Sequence, residues 1–257
     1  MGAHLEVCGL TKHFGANSVL EEVSLAFERG AFVSVVGVSG CGKTTLLRII
    51  AGLEPATRGV VKLDSTVVTR NTPRIGFVFQ EHALFPWRTT LQNVEIGLEI
   101  AHVPRRRRRR AAEELIRTFG LEGCEGKYPK ELSGGMRQRV AIARTVITEP
   151  ELVLLDEPFN ALDGRLRKNL QCFLLDVWAS RRETVLFVTH SVDEALFMSD
   201  HVVVLSSGPA RVIDVVQVDL PRPRIPWSPE IGRLRERILT QLEAVSLATS
   251  PAQRTSR

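Results

Sequence analysis

Residues 37–45 read Gly-Val-Ser-Gly-Cys-Gly-Lys-Thr-Thr, and their types and spacing suit one task, the holding of phosphate groups. Gly37, Gly40 and Gly42 allow a tight backbone curl, so that successive N–H groups along Ser39, Cys41, Lys43, Thr44 and Thr45 converge on phosphate oxygens. A helix beginning near Lys43 adds its positive dipole end. Lys43 supplies a mobile cation for the same oxygens, and the Thr44 hydroxyl is placed to ligate Mg²⁺. Nothing in this chemistry needs a thiol, so Cys41 reads as a tolerated small residue.

Residues 152–157, Leu-Val-Leu-Leu-Asp-Glu, are four apolar side chains followed by two carboxylates. A buried parallel strand of this kind delivers acidic groups to its carboxyl end, where ligands of open α/β sheets bind. Asp156 is suited to orient Mg²⁺ through water, and Glu157 to accept a proton from an attacking water. A third stretch, Leu-Ser-Gly-Gly-Met-Arg-Gln-Arg at 132–139, precedes an apolar helix. Ser133, Gly134 and Gly135 at that helix start form a second phosphate-binding surface. One nucleotide does not need both cradles from one subunit. Two copies facing head to tail would close two nucleotides between them, each loop opposite the other chain's Ser133.

The elements that must position these groups follow from apolar patterning. Val23, Leu25 and Phe27 alternate with polar or small neighbours, as a half-buried strand should, and the first thirty residues read as antiparallel strands. Residues 32–38 are apolar almost throughout, the mark of a strand covered on both faces. A helix is expected over 43–51, stopped by Gly52. Further buried strands are expected at 74–80, 151–156, 184–189 and 201–205, whereas 81–148 reads as mostly helical. The fold class is therefore α/β, with a parallel-sheet core interrupted by a helical insertion. The expected division is a first core part at 1–80, a helical part at 81–148 and a second core part at 149–220. A C-terminal helix and tail at 221–257 completes it. Pro221 to Pro226 breaks regular structure. An amphipathic helix follows with Ile231, Leu234, Ile238 and Leu242 on one face, and 249–257 is expected to fray.

Composition excludes several classes. At 257 residues, 44% hydrophobic and 25% charged, the chain has the usage of a globular protein rather than a disordered one. No apolar run approaches a bilayer-spanning length, and the N-terminus does not read as a secretion signal. Four scattered cysteines, with no CxxC pair, suggest neither a disulfide scaffold nor a zinc site. The net charge of +5 comes from six consecutive arginines at 105–110; without them 28 cations face 29 anions. The basic balance is therefore local, and nucleic acid is not an expected partner. Arginines at a helix start oppose the macrodipole, so this run is not placed for helix stability.

Taken in order along nearly the whole chain, these motifs resemble the nucleotide-binding subunit of ABC transporters. The resemblance implies a P-loop NTPase (RecA-like) core, an N-terminal antiparallel β subdomain, and ATP with Mg²⁺ as ligands. It also implies roles for residues that would be weak alone. Gln80, in Phe-Val-Phe-Gln, matches the glutamine that senses Mg²⁺ and the attacking water. His190, in Phe-Val-Thr-His-Ser, matches the histidine that contacts the γ-phosphate. Asp163, in Asn-Ala-Leu-Asp, matches the segment that crosses the dimer interface, and Phe14 matches the aromatic that stacks on adenine. Phe14 stands where tyrosine is commoner and Asn160 where serine is usual; neither change removes a catalytic group. An active ATPase is expected, with Glu157, His190, Gln80 and Lys43 as its catalytic residues.

The Phe-Pro-Trp stretch at 85–87, Thr-His-Ser-Val-Asp-Glu-Ala at 189–195 and the Pro-Arg-Pro-Arg segment at 221–224 look like the nitrate/sulfonate/taurine/bicarbonate group of bacterial importers. That resemblance implies a dimer with itself or a paralogous ATPase subunit, a transmembrane permease docked on the helical part, and a solute-binding protein acting indirectly. It places the chain at the cytoplasmic face of the membrane. Leu84, Phe85 and Trp87 read either as a groove for the permease or as a buried aromatic cluster. An exporter subunit, or a soluble ABC ATPase acting on nucleic acid or ribosomes, are the alternative readings.

Overall fold

The computed structural model describes residues 5–160 and 162–249, with side-chain surroundings given up to residue 245. The chain opens with β1 (Leu5–Phe14), β2 (Asn17–Phe27) and β3 (Phe32–Val36), followed by helix α1 (Lys43–Ile50). Strands β4 (Arg58–Leu63), β5 (Thr66–Val67) and β6 (Ile75–Val78) lead to helices α2 (Thr90–Ile100), α3 (Arg105–Thr118) and α4 (Gly134–Val146). Then β7 (Leu152–Asp156), α5 (Gly164–Arg181), β8 (Thr184–Thr189), α6 (Val192–Met198), β9 (His201–Leu205), β10 (Val212–Gln217) and α7 (Pro229–Thr249) complete the order.

Two sheets result. β2-β1-β4-β5 is antiparallel, and β10-β9-β3-β8-β7-β6 is parallel except for its edge strand β10. The central strands β3, β7 and β8 are buried at every position, which is why they read as unbroken apolar runs. In β2 the alternation of Val23, Leu25 and Phe27 with exposed partners gives the antiparallel sheet one inner face. That face packs with α1 and the inner side of the parallel sheet into one core cluster. The opposite side of the parallel sheet joins α2, α3, α4 and α5 through Phe32, Phe119, Phe159, Phe187 and Trp178. Trp178 and Phe187 each meet Phe32 edge-on, with ring centroids 5.8 and 6.4 Å apart.

The parallel-sheet core, the antiparallel subdomain and the helical stretch agree with the fold expected from sequence. Strand ends are trimmed: β3 stops at Val36 rather than 38, and β6 covers 75–78 rather than 74–80, because the chain turns into loops there. The C-terminal helix is longer than expected, 21 residues, and buries Ile231 and Ile238 against α6, β9 and β10. The fraying expected at the end falls mainly on 250–257, outside the described residues.

The Pro221–Pro226 segment is irregular, as expected, but it is tightly anchored. Arg224 is 5% exposed and donates to the carbonyls of Leu196, Ser199, Val218 and Leu220. Burial, with the charge of Arg222 nearby, pushes it down to about 10, so it stays protonated at neutral pH. These bonds pin the carboxyl end of α6, the helix that begins directly after His190.

Candidate nucleotide site

The register of the parallel sheet gathers the expected residues at one edge. Val36 pairs with Thr189 and Asp156 with Val188, so the loop after β3, the carboxylates ending β7 and the histidine after β8 leave the sheet side by side. Gln80 lies two residues beyond the Val78–Leu155 pair, exposed, at the same edge.

In the loop, Gly40 and Gly42 take φ of 77° and 111°, the left-handed region that favours glycine. At Gly42 a side chain would also meet Val19 Cγ1 at 2.9 Å and Leu20 Cδ2 at 3.0 Å, because the loop runs tight against β2. Lys43 is 5% exposed, and its Nζ donates to the carbonyls of Gly37 (2.9 Å) and Val38 (3.0 Å), which holds the ammonium over the curl. Ser39 is exposed and Thr45 half-buried.

Cys41 adds a detail that the sequence does not carry. Its side chain is buried, and its Sγ lies 2.9 Å from where a Cβ on Gly37 would sit. Burial pushes its thiol up, so it stays protonated and faces the core. Cys41 can therefore offer a ligand only backbone atoms, and Gly37 is required because the thiol fills its space.

The Thr44 hydroxyl donates to Asp156 Oδ1 at 3.0 Å, joining the loop to β7. Asp156 is 4% exposed; burial pushes its carboxyl up, opposed by the Thr44 hydrogen bond. Two hard oxygen donors thus stand together beside the phosphate loop, a donor set that fits Mg²⁺. Glu157 turns away from Asp156 towards β8. Its N–H donates to Val188 O at 3.0 Å, Asn160 donates to its carboxylate, and Oε2 lies 3.6 Å from His190 Nδ1. Glu157 has φ 45°, a left-handed conformation costing a non-glycine residue about 1–2 kcal/mol. Nothing in the one-letter sequence signals this kink, yet it aims the carboxylate at the histidine.

The remaining candidates lie further out. Phe14 ends β1, half exposed, with Lys12 Nζ 4.6 Å from its ring centre, so one ring face is open for stacking. The Ser133 hydroxyl caps its own helix by accepting from Met136 N at 3.3 Å, and Gly134 and Gly135 form the first turn of α4. Asp163 likewise caps α5, accepting from Arg165 N and Leu166 N at 3.1 and 3.0 Å. Thus Lys43, Thr44, Asp156, Glu157 and His190 are brought together within one chain. Ser133 and Asp163 are exposed or outward-facing helix caps bonded locally. In the stretch 84–87, Leu84 packs into the helical core, as the buried-cluster reading expects, whereas Trp87 is 71% exposed and does not belong to a buried cluster. Of the arginine run, Arg108 pairs with Glu95 and Arg109 with Glu113.

Comparison with known proteins gives this geometry a family. The ABC transporter family model matches residues 20–160. An uncharacterized ABC transporter ATP-binding protein of Methanocaldococcus jannaschii is 49% identical over 247 residues, 95% of this chain and 92% of that one. The aliphatic sulfonates import ATP-binding protein SsuB of Bacillus subtilis is 43% identical over 227 residues, covering 88% of each chain. Among solved structures, a dimeric ATP-binding cassette in a post-hydrolysis state, bound to ADP and Pi, is 32% identical. It superposes with a TM-score of 0.74 over 84% of this chain and all of that one. Among the described residues no helix is long and apolar enough to cross a membrane. The chain belongs to the ABC transporter family, as an ATP-hydrolysing nucleotide-binding subunit.

Proposed function

We propose that this chain powers an ABC importer for sulfonate-type solutes, taurine included, from the cytoplasmic face of the membrane. Nitrate and pyrimidine thiamin precursors are the next solute classes in order. The import direction and the solute class rest on the SsuB relatives, whose names specify aliphatic sulfonates. The hydrolytic role rests chiefly on one observation, the Glu157 carboxylate standing 3.6 Å from His190 at the sheet edge that carries the phosphate loop.

In this reading Phe14 stacks on adenine, and the N–H groups of 39–45 with Lys43 hold the phosphates. Thr44, Asp156 and Gln80 would hold Mg²⁺, which when bound spreads the charge of the phosphate oxygens. Glu157 accepts the proton of the attacking water, while Lys43 and His190 face the phosphoryl oxygens as charge moves to the leaving group. Each site takes its remaining donors from a second copy: the partner's Ser133, Gly134 and Gly135, with Asp163 at the interface. Closure excludes water from the reacting centre, and hydrolysis reopens the dimer. The helical part at 81–148 carries that motion to a permease, with exposed Trp87 at the contact.

A tagged Glu157→Gln chain, purified with ATP and Mg²⁺ from detergent-solubilised native membranes, tests the transporter assignment. A multi-span permease should co-purify, and its solute-binding protein can then be screened with taurine and nitrate. Recovery of soluble partners or nucleic acid alone would overturn the transporter reading and leave the ATPase standing.

A further inference from the structure

His190 is held by a turn whose bonding extends well beyond the sheet edge. Thr189 Oγ1 accepts from Ser191 N at 3.0 Å and donates to Glu194 Oε2 at 2.6 Å, while Ser191 Oγ accepts from Glu194 N at 3.3 Å. Glu194 is 9% exposed, so its carboxylate is fixed beneath the turn. Its other oxygen, Oε1, faces Arg167 Nε on α5 at 3.7 Å. That distance is too long for a hydrogen bond, and Arg167 Nε is a buried donor with no partner. The far end of the same guanidinium donates to Leu162 O at 3.0 Å, one residue before Asp163. Burial pushes the Glu194 carboxyl up; the Thr189 hydroxyl and the Arg167 charge oppose that shift.

A buried donor facing a buried carboxylate just beyond bonding distance is an uncompleted pair, and a buried unmade bond is costly. An approach of about 1 Å between the start of α5 and the turn after β8 would complete it. The two segments so joined carry Asp163, which faces the second copy in the proposed dimer, and His190, which faces the phosphate. We infer that the Arg167–Glu194 pair is a positioning link that ties the Asp163 segment to the His190 turn, so that dimer closure sets the histidine for hydrolysis. Neither residue touches the nucleotide: Arg167 acts through Leu162, and Glu194 through Thr189. The inference rests on the proposed roles of His190 and Asp163.

Arg167→Met and Glu194→Gln in the full chain, singly and together, test it by steady-state ATP hydrolysis. Gln can keep the oxygen that accepts from Thr189, while the charged acceptor facing Arg167 gives way to an amide NH₂ that cannot complete the pair. Each single change should lower kcat about tenfold with KM for ATP within about twofold. The double variant should be no slower than either single one, because both remove the same link. Arg167→Lys, which keeps the charge but loses the fork, should recover part of the rate. Because Arg167 is only half-buried, its variants keep the fold, which thermal melting checks. Single variants with kcat within twofold of the wild type would overturn the inference, as would losses that multiply in the double variant. Glu157→Gln assayed alongside separates the two claims: if it loses turnover while these variants do not, the link is wrong and the site reading stands.

Discussion

Glu157→Gln should cut ATP turnover by roughly 10²–10³-fold, the usual worth of a positioned general base, while ATP affinity stays within about threefold. Gln has nearly the same shape, so the packing beside β8 and the N–H bond to Val188 survive the change. What is lost is the ability to take a proton from water at the point facing His190. The geometry makes this residue the better candidate than its neighbour. Asp156 is occupied by the Thr44 hydroxyl and directed at the phosphate loop, whereas the left-handed backbone at Glu157 swings its carboxylate to the adjoining strand. Steady-state phosphate release and equilibrium ATP titration read the two effects separately. Turnover at the wild-type rate would mean that Glu157 is not the base.

The second large effect is expected at Lys43. Lys43→Ala should weaken ATP binding roughly a hundredfold, and turnover at sub-saturating ATP should fall with it. A unit charge about 4 Å from a phosphate oxygen is worth about 4 kcal/mol near a protein surface, and the solvation that the phosphate gives up on binding reduces that figure. The ammonium is already desolvated, 5% exposed, and held by two loop carbonyls, so little ordering cost remains when phosphate arrives. Titration with a fluorescent ATP analogue measures the loss. Affinity within threefold of the wild type would contradict the cradle role.

The two expectations differ in how far the sequence could support them. Lys43 was legible because its motif sits between an all-apolar run and a helix start, and β3 is indeed buried at every position. The same logic reached β7 and β8, whose burial on both faces leaves no polar interruption. It did not reach β4, β5 or β10: these are exposed or edge strands, where alternation is broken and pairing depends on distant partners. Ser133 was legible at the start of a helix and Asp163 only through the family resemblance; in the structure both cap helices. The kink at Glu157 was hidden because glutamate carries no signature of positive φ. The Arg167–Glu194 juxtaposition was hidden for a different reason: only the fold brings α5 and the start of α6 together. The inward thiol of Cys41 was equally invisible, since loop residues reveal their direction only once the curl is fixed.

The central claim, that each hydrolytic site is completed by a second copy, is tested most directly by light scattering of purified Glu157→Gln with and without ATP and Mg²⁺. The account predicts a mass that doubles on adding nucleotide, and no doubling when Ser133→Arg is introduced into the same chain. A Glu157→Gln chain that binds ATP and remains a monomer at every concentration, or that dimerises equally well with Ser133→Arg, would contradict it.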